Sequence, residues 1–191
     1  MDRAHLIGAL GAASGAKLHD LAWGRDTRSV QTEVADSSVG SETTFAVDSA
    51  DSTFLTRQLL ALTERTAHRA RQAGVRGRTV SIKVRFEDFS TLTRSATLSS
   101  PTDMSRTVYA TARELLAKVL ASAAGGQRIR LLGVRLEGLV AAGQVSEQLE
   151  LGSQDSGPGW REAQGAIDRA VERFGMAAVR PAALLDRPER V

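Results

Sequence analysis

Residues 78–86 read RTVSIKVRF, and this run decides the fold class. Val80, Ile82, Val84 and Phe86 fall on one side of an extended chain, with Thr79, Ser81, Lys83 and Arg85 on the other, because successive strand side chains point to opposite faces. A helix would scatter the same residues around its circumference. The run is therefore a half-buried strand whose outer face is basic and hydroxyl-bearing, as in an antiparallel sheet covered on one side only.

The neighbouring segments complete the sheet. After a short loop around Glu87 and Asp88, residues 91–98 (TLTRSATL) place Leu92, Ala96 and Leu98 opposite Thr91, Thr93, Ser95 and Thr97. Upstream, SVGSETTFAV (residues 38–47) is rich in β-branched residues, with Val39 and Phe45 sharing a face. Asp51 and Ser52 then cap a helix in which Leu55, Leu59, Leu62 and Thr66 recur every three or four residues, and Gly74 lies just past its end. Pro101 and Thr102 or Asp103 open a second helix with the stripe Met104, Val108, Ala112, Leu115 and Val119, closed by Gly125 and Gly126. The last strand is RIRLLGVRL (residues 128–136). A bulge near Leu132 and Gly133 gives it one core face, with Ile129, Leu131, Val134 and Leu136 inward and Arg128, Arg130 and Arg135 outward. The order β-α-β-β-α-β predicts an α+β fold: a four-stranded, mainly antiparallel sheet with two helices on one face.

Helical patterns flank this unit. Leu6, Leu10, Leu18 and Leu21 mark two short helices ending near Gly24, followed by a polar tether. Beyond residue 139, EQLELGSQDSGPG has linker composition, and Trp160, Ala163, Ile167, Val171 and Phe174 form the stripe of a further helix that stops at Gly175. Both tryptophans, Trp23 and Trp160, read as packing residues.

Composition removes several function classes. The 191 residues include no Cys, which excludes disulfides, thiolate metal sites and a cysteine nucleophile. His5, His19 and His68 are scattered without metal-ligand spacing. No run reaches the roughly 18–20 apolar residues of a membrane span, and the N-terminal MDRAHLIGALGAASGAK is interrupted by Gly8, Gly11, Ser14 and Gly15, so a folded, cytoplasmic protein with no membrane partner is expected. The net charge of +3 conceals segregation: residues 1–56 carry four basic and eight acidic residues (−4), 57–135 fifteen and five (+10), and 136–191 six and nine (−3). A basic middle is the footprint of a polyanion partner.

RNA-recognition modules share this element order, but they stack bases on aromatic side chains of their central strands. TLTRSATL has none, and the outer face of residues 78–86 is Thr, Ser, Lys and Arg. Hydroxyls and cations are phosphate-contacting groups that read little sequence, which points to a duplex backbone.

The runs LHDLAWGRDTR, SVGSETTF, GRTVSIKVRFEDFSTLTRSATLSSPTD and IRLLGVRLEGL together resemble the C-terminal half of a Y-family, lesion-bypass DNA polymerase of the DNA polymerase IV branch. The resemblance covers residues 6–139 and extends through GWREAQGAIDRAVERFG. It implies the end of a thumb over 1–28, a linker over 29–37, a little-finger DNA-binding domain over 38–139, a second linker over 140–159 and a helical tail over 160–191. It also implies duplex primer-template DNA as partner, held by Arg78, Ser81, Lys83, Arg85, Thr93, Arg94, Ser95, Arg128, Arg130 and Arg135. In such polymerases nucleotidyl transfer takes place in a palm that precedes the thumb, on carboxylates holding two magnesium ions. No cofactor is expected in this chain, which alone should not polymerise and would work with a catalytic palm. Finally, Gln148, Leu149 and Leu151, within QLEL, resemble the family's sliding-clamp peptide. The alternative function is accordingly an adaptor that binds the clamp.

Overall fold

The structure is a computed structural model that describes residues 2–29, 36–122, 127–145 and 158–185. Contacts divide the chain into two compact units, Met1–Ala35 and Asp36–Val191. In the first, α1 (Arg3–Leu10) and α2 (Ala12–Ala22) meet at Gly11, whose φ of 82° suits a residue without Cβ. Gly15 lets the two helices touch, since a Cβ there would collide with the Leu6 carbonyl.

The second unit follows the expected order: β1 (Ser38–Ser49), α3 (Ser52–Gln72), β2 (Val75–Phe86), β3 (Thr91–Thr102), α4 (Ser105–Ser122) and β4 (Ile129–Ala141). Asp51 caps α3 by accepting the Thr53 N–H at 2.8 Å. The sheet order is β1-β4-β2-β3 and every neighbouring pair is antiparallel. Central β2 has its Val80, Ile82 and Val84 opposite Leu136, Val134 and Leu132 of β4. These six pack with Leu55, Leu59 and Leu62 of α3 and Val108, Ala112, Leu116 and Val119 of α4, all at most 2% exposed. Each fully buried Val, Leu or Ile contributes about 1.5–3 kcal/mol of transfer free energy. The core therefore lies wholly on one side of the sheet.

One detail of β4 corrects the expected pattern. The register against β2 slips between Leu131, opposite Arg85, and Ile129, opposite Phe86, so the extra residue is Arg130 rather than one near Leu132 and Gly133. Leu132 belongs to the core, and Leu131 lies on the opposite face beside Arg85 and Thr44. The physical reason is visible at Arg130, whose Nη2 donates to Asp48 Oδ2 at 2.8 Å and holds the bulge against the end of β1.

Helix α5 (Pro158–Phe174) is joined to this unit by charge as well as by its apolar stripe. Asp168 accepts Arg71 Nε at 2.6 Å and Nη2 at 2.9 Å, and lies 3.0 Å from His68 Nδ1. Arg71 also donates to the Asp103 carbonyl at 2.6 Å, while the buried Asp103 carboxylate accepts Arg161 at 3.2 Å. Val171 is the buried apolar member of the contact. Burial works against ionisation of Asp168, but the hydrogen bonds from Arg71 and His68 outweigh it and hold the carboxyl below its ordinary value.

Two outcomes follow for stability. Leu132→Ala should cost about 2–5 kcal/mol in urea unfolding, and Leu131→Ala distinctly less, because only Leu132 leaves a cavity under the helices. Asp168 has a lowered pKa in the folded state, so its contribution is present above the ordinary carboxylate value of about 4 and is lost as pH falls through the folded value. The difference in urea midpoint between the wild type and Asp168→Asn should be present at about pH 5 and shrink toward zero in stronger acid.

Candidate nucleic-acid interface

The face of the sheet turned away from the helices is built by strand parity alone. Its rows are Ser38, Gly40, Glu42 and Thr44 of β1; Glu137, Arg135, Gly133 and Leu131 of β4; Thr79, Ser81, Lys83 and Arg85 of β2; and Thr97, Ser95, Thr93 and Thr91 of β3. The face is dense in hydroxyls and contains no aromatic residue. Two backbone groups allow its side chains to cross between strands. Gly133 leaves space above β4, where a Cβ would stand 3.0 Å from that of Glu42 and 3.6 Å from that of Lys83. Lys83 Nζ therefore reaches over it to Glu42 Oε2 at 3.1 Å. Gly40 performs the same service for Arg135, whose Cβ would lie 3.2 Å from a Cβ at position 40.

The residues singled out from sequence do not all share this surface. Ser81 is buried in it and donates to Glu137 Oε1 at 3.1 Å. Arg85 Nε donates to Thr91 Oγ1 at 3.0 Å, and exposed Thr93 and Ser95 stand opposite Lys83 and Ser81. Arg135 is exposed and, among the described residues, no ion pair or side-chain hydrogen bond engages it. Arg94, by contrast, is opposite Ile82 and so leaves the edge strand on the helix side. Arg78 is exposed beside Gly138, where the β2–β3 register slips between Gly77 and Thr79. Arg128 and Arg130 gather at the other end of the sheet, both bound to Asp48: Arg128 Nε donates to its carbonyl at 2.9 Å and Arg130 to its carboxylate. Gln148, Leu149 and Leu151 lie outside the described residues.

Sequence reading missed the acids of the face. Glu42 and Glu137 lie among the cations, opposite Gly133 and Thr79, so the face carries Lys83, Arg85 and Arg135 against two carboxylates, a formal +1. The alternation of SVGSETTF contained the signal, since Glu42 has opposite parity to Val39 and Phe45. The basic excess of residues 57–135 is also divided, with Arg57, Arg65, Arg69 and Arg71 on α3 and Arg106, Arg113 and Lys118 on α4. The loop carboxylate Asp88 is engaged locally, accepting the Ser90 side chain at 2.6 Å and its N–H at 2.9 Å, which lower its pKa. Among the described residues no group of three or more His, Asp or Glu could hold a metal ion. Nor, among those residues, is any helix long and apolar enough to cross a membrane.

Residues 36–151 match the impB/mucB/samB family C-terminal domain. The chain belongs to that family. It is 38% identical over 172 residues to a DNA polymerase IV of Desulfatibacillum aliphaticivorans, covering 90% of this chain and 43% of the relative. It is 42% identical over 134 residues to a DNA polymerase IV of Streptomyces coelicolor, covering 70% and 27%. The chain thus spans less than half the length of these relatives. A solved Y-family DNA polymerase chimera of Dbh and Dpo4 superposes with a TM-score of 0.58 at 17% identity, over 73% of this chain and 39% of the chimera, and shows the shared fold. The chain thus falls in the DNA polymerase IV branch of that family, and its sheet unit is the family's C-terminal domain.

Proposed function

We propose that the open face of the little-finger sheet grips duplex primer-template DNA through its backbone phosphates, in the cytoplasm, and so steadies a translesion polymerase whose catalytic palm holds the magnesium ions. The observation that carries this reading is the composition of the face: rows of exposed hydroxyls with Lys83, Arg85 and the unengaged Arg135 between them, and no ring on which a base could stack. Such groups contact phosphate oxygens and position a duplex without reading its sequence. Arg78 at one end of the sheet and Arg128 and Arg130 at the other would extend the grip, with Ser81, Thr93 and Ser95 as neutral donors. Arg94, on the helix side of the edge strand, would reach a phosphate only by wrapping around that edge.

A second reading concerns the sliding clamp. It rests on Gln148, Leu149 and Leu151, a peptide a few residues beyond β4, whose alternate apolar anchors suit a groove on a partner.

Neutralising three cations tests the first reading. Lys83→Gln, Arg85→Gln and Arg135→Gln together should weaken binding to all duplex sequences about equally and flatten the log–log salt slope by roughly 2.7, at about 0.9 per phosphate contact. Glu42→Gln with Glu137→Gln should act in the opposite direction. Duplex binding that ignores salt, or a variant that loses some sequences and keeps others, would refute the phosphate grip. For the clamp, alanine at Gln148, Leu149 and Leu151 should abolish co-purification of the clamp and leave the duplex titration unchanged. Undiminished clamp capture by that variant would rule the peptide out.

A further inference from the structure

The β2–β3 hairpin carries a feature that neither the fold nor the phosphate-gripping face uses. Phe89 stands in its turn with a φ of 63°, the left-handed region that favours glycine or asparagine and disfavours a bulky side chain. The residue is nevertheless 64% exposed. The turn is closed by other groups: Phe86 N–H donates to the Ser90 carbonyl and Phe89 N–H to the Phe86 carbonyl, both at 3.0 Å, with Asp88 holding Ser90. None of these bonds needs a ring at position 89.

Among the described residues the ring meets the Arg130 guanidinium, which lies over it 4.5 Å from the centroid. Arg130 is itself held in an uneconomical way. Its Nη2 is fixed by Asp48, while its Nε is buried without an acceptor among the described residues. A backbone conformation unfavourable to its residue, a desolvated donor and an exposed aromatic therefore coincide at one end of the sheet. Costs of this kind persist where a site requires them.

The chemistry of the place narrows its ligand. Arg85, Arg128 and Arg130 meet Asp48, Glu87 and Asp88 there, a formal charge of zero, so charge alone does not define what this end binds beyond the phosphates of the grip. What it offers is a flat, half-solvated π surface with a cation behind it, adjoining a face that can hold a backbone but cannot stack a base. Rings of this kind take bases of unpaired strands whatever their sequence. We propose that Phe89, backed by Arg130, is a stacking surface for an unpaired nucleobase where a strand leaves the duplex held on the sheet. The inference rests on the phosphate-gripping reading and adds to it a contact with single-stranded nucleic acid.

The full 191-residue chain is titrated with three probes: a blunt duplex, the same duplex with an overhang whose first unpaired base is 2-aminopurine, and a 2-aminopurine single strand. Binding should quench the fluorescence of the last two. Phe89→Tyr should keep the quench. Phe89→Ala, and Phe89→Leu which retains bulk without a π surface, should lose it and bind both probes about 5-fold to about 150-fold more weakly, a deficit that persists in high salt, with blunt-duplex affinity unchanged. Phe89→Gly should lose the quench yet melt no lower than the wild type, because glycine accepts the backbone angle. A wild type that does not quench, or alanine and leucine variants that quench as it does, would overturn the proposal, as would loss of a protein contact with the quench intact. Failure of the wild type to bind blunt duplex would refute the sheet reading instead, and the single-strand probe would still judge Phe89.

Discussion

Everything on the open face depends on the parity of β2. Val80, Ile82 and Val84 are essentially inaccessible beneath α3 and α4, and a slip of one residue would move all three into water and bring Lys83 and Arg85 under the helices. Because β2 occupies an inner position between β4 and β3, its register is imposed on both neighbours, and through β4 on β1. The hydrophobic core therefore fixes where each hydroxyl and cation of the outer surface stands, although none of those groups takes part in it. The surface is a consequence of one-sided burial.

The parts legible in the sequence were those where one pattern admitted one solution. The alternation of residues 78–86 and the leucine spacing of α3 left no competing arrangement, whereas the start of the second helix was misplaced: Pro101 and Thr102, expected to open it, extend β3 instead, and α4 begins at Ser105. The failures occurred where neighbouring residues were chemically alike or where the deciding partner was distant. Leu131 and Leu132 are interchangeable to any hydrophobicity argument, and it is the bulge at Arg130, whose guanidinium bonds Asp48 82 positions away, that puts Leu132 on the core side. Arg94 has the parity of Leu92, Ala96 and Leu98, so the alternation of its own segment already put it on the helix side, where a charged residue of an edge strand can still reach solvent. The regional charge of +10 was real, but a sum along the chain does not distinguish strand from helix, and seven of its cations went to α3 and α4.

Helix α5 shows the same limitation in another form. Its apolar stripe was readable, but its docking depends on Asp168 meeting His68 and Arg71 from 97 to 100 positions away. Nothing local distinguishes Asp168 from the other carboxylates of a solvated helix. An ion pair of this kind, with both partners mostly shielded, is costly to break from one side, because the charge left behind is poorly hydrated. It thus fixes where α5 sits, as the apolar stripe alone, of which only Val171 is fully buried, would not.

The compensation of charge on the open face also bears on how a little finger could hold DNA. A surface of uncompensated arginines would bind phosphates tightly and resist translocation, since every step would break strong charge-assisted contacts at once. Here Lys83 is already paired with Glu42 and Ser81 with Glu137, so a phosphate arriving at either site exchanges one partner for another instead of filling an empty one. Arg135, by contrast, has no ion pair or side-chain hydrogen bond among the described residues. If the face grips DNA as proposed, exchangeable contacts of this kind would give affinity through number and mobility through weakness.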